Sequence, residues 1–198
     1  MQNIQTIPEK ILFLGYENSP LIDWLSNIGE QVVQTSDKIE LSFLEKKNFT
    51  FLISYGYRYI IKKEILDRFT NKAINLHISY LPWNKGAEPN FWSFLENTPK
   101  GVTIHYLDEG VDTGDIIVQK EIFFNSENET LATSYEKLQS EIQTLFKKNW
   151  NNIKNGYSKR YKQINKGTTH KLRDKEPFKY LLTNGYNTKV SILEKSKK

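Results

Sequence analysis

The chain of 198 residues has no cysteine, one methionine and three histidines. The missing cysteines exclude a disulfide framework, which fits a reducing compartment. His77, His105 and His170 lack the short spacing of a zinc site, so no metal is expected. Long apolar runs are missing as well. Nothing approaches the roughly 18 residues that cross a bilayer, and the start, Met1 to Thr6, is too polar for a signal peptide. A cytoplasmic protein with no membrane partner is expected. Internal repeats and long low-complexity segments are absent too, and the length suits one sizeable core with a small appendage.

The net charge of +5 hides an asymmetry. Residues 147–198 hold 15 Lys and Arg against 3 Asp and Glu, or +12, while residues 1–146 hold the other 13 against 20, or −7. The basic tail reads as a solvated face or as a means of drawing in a phosphorylated substrate. Apolar and aromatic residues recur among its charges, including Tyr157, Tyr161, Phe178, Leu181, Tyr186, Val190 and Leu193, which a purely electrostatic arm does not need. So short a segment cannot bury them against itself. They are expected to cover a partner subunit or the sheet edge, with a homodimer as the result and nucleic acid not expected as a partner.

Lys10 to Gly15 reads as a short buried strand ending in a turn. Ser19 then caps a helix opened by Pro20, with Leu21, Ile22, Leu25 and Ile28 as its apolar stripe and Gly29 as its stop. Residues 31–34 and 49–54 predict two further strands, with helical spacing over 39–47 and 62–69 and another strand over 73–79. Strands alternating with helices predict an α/β fold, a Rossmann-like and mostly parallel sheet flanked by helices, whose sites form at the carboxyl ends of strands. Beyond this, 90–96 suggests a helix and 101–107 and 116–123 suggest strands. Residues 131–153 predict a long amphipathic helix with Leu131, Tyr135, Leu138, Ile142, Leu145 and Phe146 on its apolar side. The tail from Gly156 reads as irregular, with a last strand over 190–193.

Two polar clusters interrupt the apolar centre: Asn75-Leu76-His77-Ile78-Ser79-Tyr80-Leu81-Pro82 and Asp108-Glu109-Gly110-Val111-Asp112-Thr113-Gly114-Asp115. Alternation along a strand sets Asn75, His77 and Ser79 on one face and Leu76, Ile78 and Tyr80 on the other. An imidazole beside an amide and a hydroxyl suits proton transfer or oxyanion stabilisation. Taken singly, a strand histidine is more often a hydrogen-bonded structural residue, and an Asp-Thr-Gly-Asp tetrapeptide is more often a turn.

Residues 74–119 together resemble the core of the folate-dependent formyltransferase family. The family pattern of Asn-x-His, Ser-x-Leu-Pro, Gly-Ala-x-Pro and Asp-x-Gly-x-Asp-Thr-Gly-Asp runs in order through Asn75, His77, Ser79, Leu81, Pro82, Gly86, Ala87, Pro89, Asp108, Gly110, Asp112, Thr113, Gly114 and Asp115. Ile53 to Tyr57 resembles the strand and loop that receive the pterin ring. The resemblance implies a catalytic domain over 1–155 with a C-terminal extension over 156–198, a catalytic set of Asn75, His77 and Asp112, and N10-formyltetrahydrofolate as formyl donor and co-substrate. It places the folate against Tyr57, Arg58, Tyr59, Ile60 and Ile61 on one side and Asp108 and Gly110 on the other. In that chemistry Asn75 and a protonated His77 donate to the oxyanion, while Asp112 raises the proton affinity of the imidazole and takes a proton from the attacking amine.

Within the family the acceptor differs. Gly15-Tyr16-Glu17-Asn18-Ser19 is a poor phosphate nest, which argues against glycinamide ribonucleotide, and about 45 residues after the long helix are too few for a tRNA-binding barrel. The resemblance therefore points to the bacterial sugar N-formyltransferases, which formylate nucleotide-linked amino deoxysugars such as dTDP-4-amino-4,6-dideoxyglucose for surface polysaccharides. Trp83, Lys85 and Gly86 are then expected at the acceptor, the aromatic face to stack and the cation to meet a pyrophosphate. The alternatives are a methionyl-tRNA or glycinamide-ribonucleotide enzyme, hydrolysis of the formyl donor, or a non-catalytic folate-binding module of the same fold.

Overall fold

β1 (Lys10–Gly15) lies inside a parallel sheet, with β2 (Gln31–Thr35) along one edge and β3 (Phe51–Tyr55) along the other, and is buried on both faces by the layers packed above and below it. In this computed structural model, which describes residues 8–45 and 47–196, β4 (Ala73–His77) extends the parallel set. The polar N-terminal start and Lys46 of the predicted second helix lie outside the described residues. β6 (Gly101–Tyr106) and β7 (Ile116–Glu121) then join antiparallel, giving the order β2-β1-β3-β4-β6-β7.

Alternation along the strands feeds two cores. Ile11, Phe13, Phe51, Ile53, Ile74, Leu76 and Ile104 face α1 (Pro20–Asn27) and α5 (Leu131–Lys154), where Leu25, Ile142, Phe146 and Trp150 meet them. Leu12, Leu14, Leu52 and Ala73 face the other way, onto α2 (Leu41–Glu45) and α3 (Lys63–Leu66) through Leu44 and Ile65. Ala73 and Ile74 thus point to opposite faces of β4, and Asn75 and His77 follow Ala73. Pro20 opens α1 and the Ser19 hydroxyl accepts from Leu21 N at 3.3 Å, as its sequence signals predict.

The tail departs from expectation. β8 (Thr169–His170) pairs with β5 (Lys85–Gly86), and residues 190–193, expected as a strand, begin the helix α6 (Val190–Lys195). Val190 and Leu193, three apart, both pack onto α4 (Pro89–Leu95), so the helical period decides the matter. Leu181 joins them against Phe91, Trp92 and Phe94, and His170 stacks on Trp92 at 3.9 Å between ring centres. Part of the apolar content of the tail is therefore covered by its own chain. Tyr157, Ile164, Leu172 and Tyr180 stay exposed.

Candidate active site

β4 ends at His77 beside the antiparallel β6, and their register sets Asn75 opposite His105. The Asp112 loop folds back onto this pair. Asn75 Nδ2 donates to Asp112 Oδ1 at 2.9 Å and lies 3.2 Å from His105 Nε2. Asp112 Oδ2 accepts from the Gly86 amide at 2.8 Å, and His77 Nδ1 stands 3.7 Å from the same oxygen. Asp112 holds a left-handed backbone, φ +53°. Residues from β4, β5, β6 and the Asp112 loop are thus gathered at the carboxyl end of β4.

Acceptor-only partners fix two ring protons. His105 Nδ1 lies 2.8 Å from the Tyr106 carbonyl, so Nδ1 carries a proton, and when the ring is neutral Nε2 accepts from Asn75. His77 Nε2 lies 3.2 Å from the Asn84 carbonyl and likewise donates. With His105 neutral, both Asn75 N–H groups are engaged, one by Asp112 and one by His105. A proton on His105 Nε2 would make it a donor to Asp112 Oδ1, 3.3 Å away, and release one Asn75 N–H. His105 was not among the residues expected at the site. Its signal was its place in the strand that turns out to pair with β4.

Burial would by itself push the Asp112 carboxyl up, but the charge of His77, the hydrogen bond and charge of His105 and the Gly86 amide together hold it well below the usual carboxylate range. At His77 the effect expected of Asp112 is present but outweighed. Asp112 does favour its protonated form, but burial lowers its proton affinity by more and His105 lowers it further, so the ring sits below the ordinary histidine value. A folded-state value depressed below the unfolded one means that the unfolded chain takes up a proton first. Stability is therefore expected to fall as pH drops below about 6.5, the unfolded imidazole value, and again below about 4, where the unfolded Asp112 protonates. Thermal midpoints read against pH check this: His77→Gln should flatten the first decline, and an unchanged profile would contradict it.

The loops expected to receive folate adjoin one another. Tyr57, Ile61 and Leu107 share one apolar cluster, and Lys63 Nζ reaches Glu109 at 4.0 Å. Ile60 and Val111 are exposed beside them, Arg58, Tyr59, Asp108 and Gly110 are exposed, and the Tyr57 hydroxyl is tied to Asp37 O at 2.9 Å. An apolar floor flanked by loop backbone suits a flat heterocycle. Of the residues expected at the acceptor, Trp83 is half-buried, Lys85 is buried with its ammonium on the Lys166 carbonyl at 2.9 Å, and the Gly86 amide is engaged by Asp112.

A second feature was not legible in advance. A cavity of about 730 Å³ opens at the carboxyl ends of β1 and β3, lined by Tyr16, Tyr55, Gly56, Tyr135, Gln139 and Gln143 among others. Gly15, at φ +117°, lets β1 turn against β3, since a Cβ there would lie 2.0 Å from the Tyr55 carbonyl oxygen. The Tyr16 and Tyr135 hydroxyls meet at 2.7 Å, Gln143 Nε2 donates to the Tyr55 hydroxyl at 3.3 Å, and Tyr55 donates to Gln139 Oε1. Tyr135, expected on the apolar side of the long helix, instead joins Gln139 and Gln143 in a polar stripe at four-residue spacing. Burial keeps the Tyr55 and Tyr135 phenols protonated by pushing both up.

Fold and site together define a doubly wound α/β protein with an Asn-His-Asp cluster at its strand ends. A family model described as Formyl transferase matches residues 30–148, and the chain belongs to that family. It is 52% identical to the formyltransferase PseJ from Anoxybacillus kamchatkensis, solved in complex with UDP-4,6-dideoxy-4-formamido-L-AltNAc and tetrahydrofolate, over 92% of this chain and 96% of that one, with a TM-score of 0.89. It is 25% identical to an N-formyltransferase from Helicobacter canadensis, solved with folinic acid and dTDP-3-aminofucose, over 84% of this chain and 72% of that one, with a TM-score of 0.73. Among curated proteins, the methionyl-tRNA formyltransferase of Finegoldia magna is 39% identical over 93 residues, 46% of this chain and 30% of that protein. The chain spans less than half the length of such relatives. Among the described residues no group of acidic, histidine or cysteine side chains could hold a metal ion, and no helix is long and apolar enough to cross a membrane.

Proposed function

We propose that this protein transfers a formyl group from N10-formyltetrahydrofolate to the amine of a nucleotide-linked 4-amino-4,6-dideoxy sugar. The observation that carries this is the match over almost the whole of both chains to an enzyme held with a UDP-linked formamido sugar and tetrahydrofolate. The cavity supports it. Adjacent strands lie roughly 4.8 Å apart, so β1 is about 10 Å from β4, a span that a sugar and its diphosphate can bridge. Tyr16 offers an aromatic edge and Gln139 and Gln143 offer amides to a nucleobase, while the sugar amine reaches His77 across Gly56.

The amine nitrogen attacks the formyl carbon and the carbonyl oxygen becomes an oxyanion. Asn75 can donate to it by turning one N–H away from His105 Nε2, and His77 by taking a proton on Nδ1. The attacking nitrogen loses a proton to Asp112, directly or through water. As the bond from the formyl carbon to N10 breaks, that proton leaves with N10, so the amide product and tetrahydrofolate are both neutral at the reacting atoms. Uridine is favoured over thymidine as the carrier because the more similar of the two sugar-bound relatives holds a UDP sugar.

A formylation assay with N10-formyltetrahydrofolate against UDP-, dTDP- and GDP-linked amino sugars, with glycinamide ribonucleotide and methionyl-tRNA as controls, tests this. The expected result is turnover of a UDP-linked 4-amino sugar at least about a hundredfold above the controls, a ratio within reach of a site that hydrogen-bonds its substrate. Preference for methionyl-tRNA would overturn it.

A further inference from the structure

The first part of the segment after α5 runs along the loop that carries Asp112. Tyr161 pairs antiparallel with Ile116 at the start of β7, with N–H to carbonyl distances of 2.7 and 2.9 Å. That register brings Gln163 against the loop, where Nε2 donates to the carbonyls of Asp112 at 2.8 Å and Gly114 at 2.9 Å. One side-chain amide thus ties two carbonyls that flank the turn. Its Oε1 is buried without a hydrogen-bond partner among the described residues. A flipped amide would set that oxygen against the two carbonyls, so the pair of donors fixes the orientation.

The same segment supports the group that grips the Asp112 side chain. The Gly86 amide donates to Asp112 Oδ2, and β8 holds Gly86 by the bonds Lys85 N to Thr168 O and Ala87 N to His170 O, both 3.0 Å. The fit leaves no room for a side chain, since a Cβ on Gly86 would lie 2.3 Å from the His170 carbonyl oxygen. Backbone and carboxylate of Asp112 are therefore both held from residues 161–170. A non-glycine residue keeps a left-handed conformation only where its surroundings hold it there.

We propose that Gln163 is a positioning residue, whose two hydrogen bonds hold Asp112 in the conformation that aims its carboxylate at Asn75 and His77. The kinetic consequence rests on the role given to Asp112 under Proposed function; the structural one does not. Gln163→Ala is expected to lower kcat about 10- to 100-fold, with KM for both substrates within about threefold and the thermal midpoint near that of the wild type. Gln163→Met, of similar size but with no donor, should lose at least as much, and wild-type kcat in that variant would overturn the proposal. A crystal structure of Gln163→Ala reads the geometry without activity. Asp112 leaving the left-handed region, or its carboxylate parting from Gly86, supports the proposal; Asp112 unchanged in both overturns it. Should Asp112→Asn turn over normally while Gln163→Ala still displaces the loop, the positioning stands and the assignment of Asp112 to the reaction falls.

Discussion

His77→Ala and Asp112→Ala are each expected to lose turnover by a factor of about a hundred or more, the usual cost of removing a general acid or base at the reacting atoms. Both residues are largely buried at the end of β4, and Asp112 is the centre of the cluster, in contact with Asn75, His105 and the Gly86 amide. Loss of Asp112 strands the two donors, Asn75 Nδ2 and the Gly86 amide, that now share one carboxylate, so its effect should exceed that of His77. Steady-state rates with the UDP-linked amino sugar check this, alongside circular dichroism to show that the variants are folded. Full activity in either would sink the catalytic assignment. Asn75→Ala should fall in the same range, since one preorganised oxyanion donor contributes about 3 kcal/mol.

The largest effect on stability is expected from Glu30→Ala. Glu30 is buried before β2, and its carboxylate accepts from Lys154 Nζ at 2.7 Å, Trp150 Nε1 at 3.0 Å and Glu9 N at 2.6 Å. The Lys154 side chain is only 9% exposed and the Glu30 side chain 1%, so removing the carboxylate leaves an ammonium and an indole N–H without their partner in a place water barely reaches. Breaking a buried pair in this way costs about 3 kcal/mol or more, and at about 2–4 °C per kcal/mol for a chain of this size the thermal midpoint should drop by about 6–12 °C. Calorimetry reads this directly. A shift under about 2 °C, less than one kcal/mol at that scale, would mean that Lys154 reaches solvent in the folded protein. Glu30→Gln should recover part of the loss, because its carbonyl oxygen still accepts from Trp150.

Local rules carried the strands and helices of the first 155 residues well. A residue such as Ser19 before Pro20 signals a helix start through its own chemistry, and the alternation of Ile11, Leu12, Phe13 and Leu14 between two cores is a property of any strand. The same rule set Asn75 and His77 on one face. Tyr135 shows where it stops. Its spacing fits the apolar side of α5, but the start of that helix passes the carboxyl end of β1, where Tyr16 offers a hydroxyl instead of a core.

By itself the sequence determined the α/β alternation, the two polar clusters and their order, because each is written in spacing or turn chemistry over a few residues. Only the tertiary structure decided which distant groups complete them. Residue periodicity does not reveal strand direction, so the antiparallel turn of β6 that sets His105 against Asn75 was invisible until the sheet was assembled. Glu30 and Lys154 meet across a separation of 124 residues, and Gln163 reaches the Asp112 loop across 51. The apolar residues scattered among the charges of the tail said that it covers a surface, a partner subunit or the sheet edge, but not which one. Its few buried contacts, Gln163 on the Asp112 loop, β8 on β5 and Val190 and Leu193 on α4, gain their free energy only when the rest of the chain is already folded to receive them.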